Sequence, residues 1–291
     1  MGEFLQQIIN GLVLGSIYAL IAVGLSQIFG VIRIIQWAHG EVYMIGAYVG
    51  FFLTVYMKLP YLLSLVIATL AMAVFGVIIE TVVFRPLRNF PSISTTLGAI
   101  GLSVFLLNAA NVFFTPEPQR FPLDYVNRII QVGPLMVTYQ RAVVFFISLL
   151  LILALSLFIK KTLVGKSMIA MSEDMQAASL MGIDVNFTAA LAFAIGSALA
   201  GAAGVLISPI FLLYPQMSGI AVAKAFPVVV LGGLGSIEGA ILSGYILGLT
   251  ESLMSGYVSS AYKDLPAFII LILVLYLRPQ GLLGRKIVEK V

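Results

Sequence analysis

The chain has 291 residues, 61% of them hydrophobic and 10% charged, with a mean hydropathy of +1.10. Soluble domains carry roughly 25% charged residues, so this composition leaves no room for a soluble domain of useful size and points to an all-α polytopic integral membrane protein. The formal charge of +4 is informative only when read loop by loop, and the absence of cysteine excludes disulfides and thiol chemistry.

In chain order, apolar runs predict membrane segments at Ile8–Ile32, Trp37–Tyr56, Tyr61–Val83, Ile93–Phe114, Ala142–Ile159 and Phe187–Leu213. A short run at Ile220–Leu234 follows, then Ile237–Ser255 and Leu265–Leu277, which makes 8–9 segments in a single transmembrane domain over residues 1–291. The first run lacks a basic flank and is too long for the core of a signal peptide. The loop Thr115–Arg141 mixes prolines, aromatics and both charge signs, and an ordered cap outside the bilayer is expected there. Ile220–Leu234 carries Lys224 and Pro227, which makes it a short crossing or a broken helix. If every segment crosses, Arg33, Arg85, Arg88, Lys160, Lys161, Lys166, Arg278, Arg285, Lys286 and Lys290 share one side. Lys58, Arg120, Arg128, Arg141 and Lys263 share the other. The positive-inside rule then places the loop 160–186 and the C-terminus in the cytoplasm and the N-terminus outside.

The longest polar interruption on the cytoplasmic side runs from Lys160 to Asn186. Met168, Met171, Met175 and Ala178 recur at helical spacing, while Lys166, Glu173 and Gln176 fall off that stripe, so one short amphipathic helix is predicted. Gly182 follows the last periodic residues, where a helix C-cap belongs. Such a helix lies on a membrane surface or docks a partner; the plainer alternative is a solvated loop. Gly165-Lys166-Ser167 imitates the end of a phosphate-binding loop, but Lys160 stands where the first glycine belongs and no soluble strand precedes it. No nucleotide site is therefore expected in this chain, and if ATP drives transport a partner subunit hydrolyses it.

Two stretches place unusual residues at membrane depth. Trp37-Ala38-His39-Gly40-Glu41 holds the only tryptophan and the only histidine beside a carboxylate. Two positions apart, His39 and Glu41 do not share a helix face, so an irregular turn is expected at Gly40. The spacing fails the H-E-x-x-H zinc pattern and no metal site is expected. An ionisable group within the membrane points to a transport pathway; the plainer reading pairs these groups with backbone or with Arg33 to hold a helix break. Glu80 is expected to pair with Arg85 at the interface. Gly232, Gly233 and Gly235 permit a sharp turn whose peptide groups face a cavity, or close helix packing. Gly15-Ser16 opens GSIYALIAVGLSQIF and Gly196-Ser197 opens GSALAGAAGVLISPIF, each followed by a glycine-interrupted apolar stretch. In the topology above the two copies run in opposite directions, as an inverted repeat does.

The opening GSIYALIAVGLSQIFGVIRIIQWAHGEVYMIGAYV resembles that of permeases from branched-chain amino-acid ABC importers, whose pattern centres on an N-F-A-H-G-E stretch. RPLRNFPSISTTLGAIGLS, GKSMIAMSEDMQAASLMGID, AFPVVVLGGLGSIEGAILSGYILGL and LRPQGLLG are similar to successive blocks of the same family, in order along essentially the entire chain. The H-type member of the permease pair is the nearest likeness. Gln36-Trp37 departs from the usual Asn-Phe, and Ile169 stands where an arginine is common.

The resemblance implies a permease subunit of the prokaryotic inner membrane that forms the pathway for branched-chain amino acids. It implies a second homologous permease, two ABC ATPase subunits that hold ATP and magnesium, and a periplasmic or lipid-anchored solute-binding protein. Ser172–Asp184 would be the coupling segment, with Glu173, Asp174, Ala177, Ala178 and Gly182 on the motif's acidic, small and glycine positions. No cofactor, enzymatic activity or nucleic-acid partner is implied for the chain itself. Urea, amide and aromatic-acid importers share these blocks, so they stand as alternative cargoes. A self-sufficient secondary carrier is the alternative class; it should place carboxylates at mid-membrane, whereas the acidic residues here sit at segment ends with Glu251 the nearest exception.

Overall fold

The computed structural model describes residues 2–114, 116–121, 128–132 and 135–284. The helices are α1 (Gly2–Ile32), α2 (His39–Val55), α3 (Tyr61–Ile79), α4 (Arg85–Leu87), α5 (Ser92–Phe114) and α6 (Tyr139–Lys161). After them come α7 (Leu163–Glu173), α8 (Met175–Leu180), α9 (Val185–Ile207), α10 (Met217–Gly232), α11 (Ile237–Tyr257) and α12 (Leu265–Leu277). A π-turn, Glu80–Phe84, joins α3 to α4. The strands β1 (Ile129–Val132) and β2 (Leu135–Thr138) form an antiparallel hairpin, with Ile129 opposite Thr138.

Six helical stretches among the described residues are long and apolar enough to cross a membrane: Gly2–Ile32, Tyr61–Leu87, Ser92–Phe114, Tyr139–Lys161, Val185–Ile207 and Ser260–Leu277. Met217–Gly232 is a shorter apolar helix. The chain is thus a polytopic helical membrane protein. The predicted segment Phe187–Leu213 ends early, because α9 stops at Ile207 ahead of Pro209.

Close packing of glycine and alanine builds the centre. Helix association in lipid relies on van der Waals contact, which small residues maximise by letting backbones approach. α1 runs along α11: a Cβ on Gly15 would lie 2.9 Å from the Tyr245 Cα, and one on Gly248 would lie 2.3 Å from the Gly15 nitrogen. α9 crosses α1 at Gly24 and Gly196, and meets α2 where a Cβ on Gly46 would fall 2.4 Å from the Gly201 Cα. The peripheral helices α5, α6 and α12 instead expose Phe105, Phe113, Phe146, Leu150 and Ile272, as lipid contact requires.

The two ends of the bundle differ. At one end the hairpin is bracketed by Gln6, which donates to the Met136 carbonyl at 2.9 Å and accepts from its N–H at 3.0 Å. The Gln119–Leu213 bridge adds to this expected cap. The opposite end gathers Arg33, Arg85, Arg88, Lys160 and the α10–α11 turn, and it is the basic end. Arg285, Lys286 and Lys290, counted above in the charge balance, lie outside the described residues, as do Thr115 and the expected cytoplasmic tail Arg285–Val291.

Candidate functional site

At the basic end the predicted single amphipathic helix is two helices. Asp174 is extended, with φ −154° and ψ 109°, and its Oδ1 accepts from the N–H groups of Gln176 at 2.9 Å and Ala177 at 3.0 Å. An aspartate that caps the next helix competes with continuation of the previous one, which explains the break. Arg33 donates to the carbonyls of Ser172 at 3.4 Å and Glu173 at 3.2 Å, satisfying the last carbonyls of α7 and complementing its negative end. Arg33 therefore serves α7, not the Glu41 carboxylate considered as its partner. Met168 and Met171 are buried and Met175 is half-buried, so the predicted stripe does face the bundle. Ala178 is also buried, at 4% exposure, against its own chain, while Ala177 and Glu173 are exposed. Leu180 and Met181, which sequence reasoning passed over, are 89% and 84% exposed. Gly182 has φ +87° and closes α8 as expected.

Beside this segment Glu80 is fully buried in the π-turn and pairs with Arg85 at 2.9 Å and with Arg88. Arg88 in turn donates to the Asn186 side chain at 3.1 Å, tying the α3–α4 rod to the start of α9. Glu80→Ala leaves Arg88, largely buried, and Arg85, partly exposed, without the buried carboxylate they share. Breaking such a pair costs about 3 kcal/mol, less here because the Arg85 side chain is 38% exposed, so a loss of about 2 kcal/mol is expected in detergent unfolding.

The stretch Trp37–Glu41 does not form the irregular turn expected at Gly40. Residues 33–36 are irregular, and His39, Gly40 and Glu41 already belong to α2. His39 is buried with its Nε2 3.1 Å from the Ile21 carbonyl. Ile21 lies eleven residues before the end of α1, about 16 Å along its axis, so the chain folds back before α2 begins. Gly40 permits α2 to start against α10, because a Cβ there would lie 2.3 Å from the Ser218 carbonyl. The starts of α2 and α10 thus meet within the bundle. Trp37 stacks on Phe226 of α10 at 5.5 Å, and Glu41 is buried with Oε2 unpartnered among the described residues.

Gly232, Gly233 and Gly235 form the turn from α10 into α11 at the basic end, with φ +101° at Gly233 and +82° at Gly235. Leu282 donates to the Leu231 carbonyl at 2.8 Å and Leu283 to that of Gly232 at 3.0 Å, so the LRPQGLLG block zips onto this turn. A side chain at Gly233 would strike Gly284 at 2.4 Å, which makes tight packing the role of these glycines.

A cavity of about 530 Å³ lies between α1, α9, α10 and α11. Tyr18 on α1 donates to Glu251 Oε2 at 2.9 Å, and the Lys224 ammonium reaches the same oxygen at 2.8 Å. Lys224 also pairs with Asp264 ahead of α12. The Lys224 and Glu251 side chains are 11% and 6% exposed. The reading of acidic groups at segment ends named Glu251 as its exception but did not join it to Lys224 and Asp264. The signal was present, since Lys224 and Glu251 each interrupt an apolar run, and lone charges in lipid find each other. Among the described residues no group of acidic and histidine side chains is arranged to hold a metal ion.

The description "Branched-chain amino acid transport system / permease component" matches residues 7–275. The high-affinity branched-chain amino acid transport system permease protein LivH of Escherichia coli is 40% identical, over 99% of this chain and 98% of that protein. Its counterpart BraD of Pseudomonas aeruginosa is 39% identical with the same coverage. LivM of Escherichia coli is 27% identical over 92% of this chain and 68% of that protein. Among solved structures, PsaBC from Streptococcus pneumoniae in complex with Fab superposes with a TM-score of 0.51 at 15% identity, over 95% of this chain and 92% of that one, a likeness of fold alone. With the family description spanning most of its length and relatives matching it end to end, this chain belongs to the branched-chain amino acid transport system permease family.

Proposed function

We propose that the chain is one of two permease subunits of an ABC importer in a prokaryotic inner membrane, lining the pathway for branched-chain amino acids. The observation that carries this reading is the end-to-end likeness to LivH and BraD, whose names state that cargo. The second permease would be a LivM-like chain; two ATPase subunits holding ATP and magnesium and a solute-binding protein complete the assembly. α7, α8 and Gly182 would seat in an ATPase groove at the cytoplasmic face, with Glu173, Asp174 and Ala177 at the contact and Ala178 supporting α8 from behind.

Nine crossings fit the two ends: α1, α2, α3–α4, α5, α6, α9, α10, α11 and α12 alternate between them. An inverted repeat is supported by two long helices, α1 and α9, each followed by a fold-back and a shorter helix, α2 or α10. His39, Gly40 and Glu41 then stand where the two short helices meet, as discontinuous helices do at transport sites. Rocking of the halves around that point would alternate access, driven by ATPase closure against α7 and α8.

The chain reconstituted alone in liposomes is expected to accumulate no leucine and hydrolyse no ATP. Uptake by the full importer with its ATPases and binding protein, and its loss without ATP, measure this directly. Accumulation by the lone chain would instead favour an ion-coupled carrier built on Lys224 and Glu251.

A further inference from the structure

We infer that the Lys224–Glu251 pair is a transient seat for the zwitterionic head of the transported amino acid, with the apolar wall of the same cavity taking its side chain. This rests on the amino-acid permease reading above and extends it to named residues. Three observations carry it.

Glu251 and Asp264 share the ammonium of Lys224, and Arg141 and Lys263 add two further cations to the cavity wall. Both donors to Glu251 fall on Oε2, and Oε1 has no hydrogen-bond partner among the described residues. Lys224 spends two of its three N–H groups on Glu251 and Asp264, and no other acceptor is bonded to it among the described residues. A free acceptor and a free donor therefore stand on adjacent atoms of opposite charge. The bonded atoms of the pair, Nζ and Oε2, are 2.8 Å apart, so both charged groups lie within reach of one α-amino acid, whose ammonium and carboxylate sit on a single carbon. A zwitterion laid antiparallel on the pair gives its ammonium to Glu251 and its carboxylate to Lys224. Asp264, half-exposed, keeps Lys224 compensated while Glu251 is engaged.

The walls fit the remainder of such a ligand. Val13, Ile17, Ile21, Ile207, Ile210 and Ile220 line the cavity, which suits a branched aliphatic side chain and offers it no directional bond. Arg141 lines it as well, held by Asn10 at 2.5 Å and without an acidic partner among the described residues. Asn10 and Tyr18 are eight residues apart on α1, about 12 Å. Arg141 thus stands one step nearer the hairpin end than the pair, placed to draw in a carboxylate before the seat is reached.

The test uses the intact importer in lipid nanodiscs, without its binding protein, and equilibrium binding of tritium-labelled leucine. Saturable binding is expected. Isocaproate, which lacks the ammonium, and isoamylamine, which lacks the carboxylate, should each compete about tenfold less well than leucine, or weaker still. Glu251→Gln should weaken leucine about tenfold and leave isocaproate unchanged, a split that a purely structural role would not produce. Equal affinity of the parental and Glu251→Gln complexes for leucine, or no leucine binding at all, overturns the seat. Should Glu251→Gln fail to assemble, competition on the parental complex decides, and isocaproate matching leucine overturns it. Leucine uptake by the parental importer with its binding protein separates the two readings. Uptake without binding at this site removes only the seat, whereas absent uptake removes the proposed function and the seat with it.

Discussion

Leu180→Glu is expected to abolish ATP-driven uptake while the subunit still folds and inserts. Leu180 ends α8 with 89% of its surface exposed, and Met181 follows at 84%. In the proposed topology both lie outside the bilayer, where two uncovered apolar side chains mark a protein contact better than a solvated loop. A carboxylate forced into a partner's groove without a counter-ion costs several kcal/mol, enough to lower ATPase affinity by two or more orders of magnitude. Within the subunit the same change is an exposed substitution, worth about 0.5 kcal/mol or less. Ala178→Glu separates the effects differently, because Ala178 is 4% exposed against its own chain and a charge there damages the fold before any partner arrives. Co-purification of the ATPase, uptake and the unfolding temperature of the subunit measure the three consequences. Parental uptake by Leu180→Glu would remove the end of α8 from the coupling contact.

The helical membrane class was legible because hydropathy over about 20 residues reports directly on the cost of lipid burial. The Glu80–Arg85 pair was legible for a related reason, since two charges five residues apart beside an apolar run have few other partners. What escaped is three-dimensional. His39 and Glu41 looked like part of an irregular turn because their spacing was judged on a helix beginning at Trp37. The break comes earlier, and both side chains are buried once α2 starts against Ser218. Asp174 was placed within one continuous periodic stripe, although aspartate is a strong N-cap and can end one helix by starting another. Lys224 and Glu251 are 27 residues apart and on different helices, so only the antiparallel return of α11 along α10 brings them together.

The glycines were the least legible in detail, because the sequence shows where they are and not what they touch. Gly204→Val is expected to destabilise the subunit by about 3 kcal/mol or more and to remove uptake. On α9, a Cβ at Gly204 would lie 2.1 Å from the Tyr43 carbonyl and 3.1 Å from the Ala47 nitrogen, both backbone atoms of α2. A side chain cannot rotate out of such a clash, so α2 and α9 must separate along their packed length. That movement reaches the cavity, because Tyr43 lines it, and reaches the start of α2, where Gly40 touches α10. Gly101→Ala on α5 provides the contrast. A Cβ there meets nothing within 4 Å, and alanine in place of glycine favours a helix interior by about 1 kcal/mol. Unfolding of the two variants in the same detergent should therefore move in opposite directions from the parental midpoint. If Gly204→Val unfolds at the parental midpoint, backbone contact between α2 and α9 is not what holds the centre of this bundle.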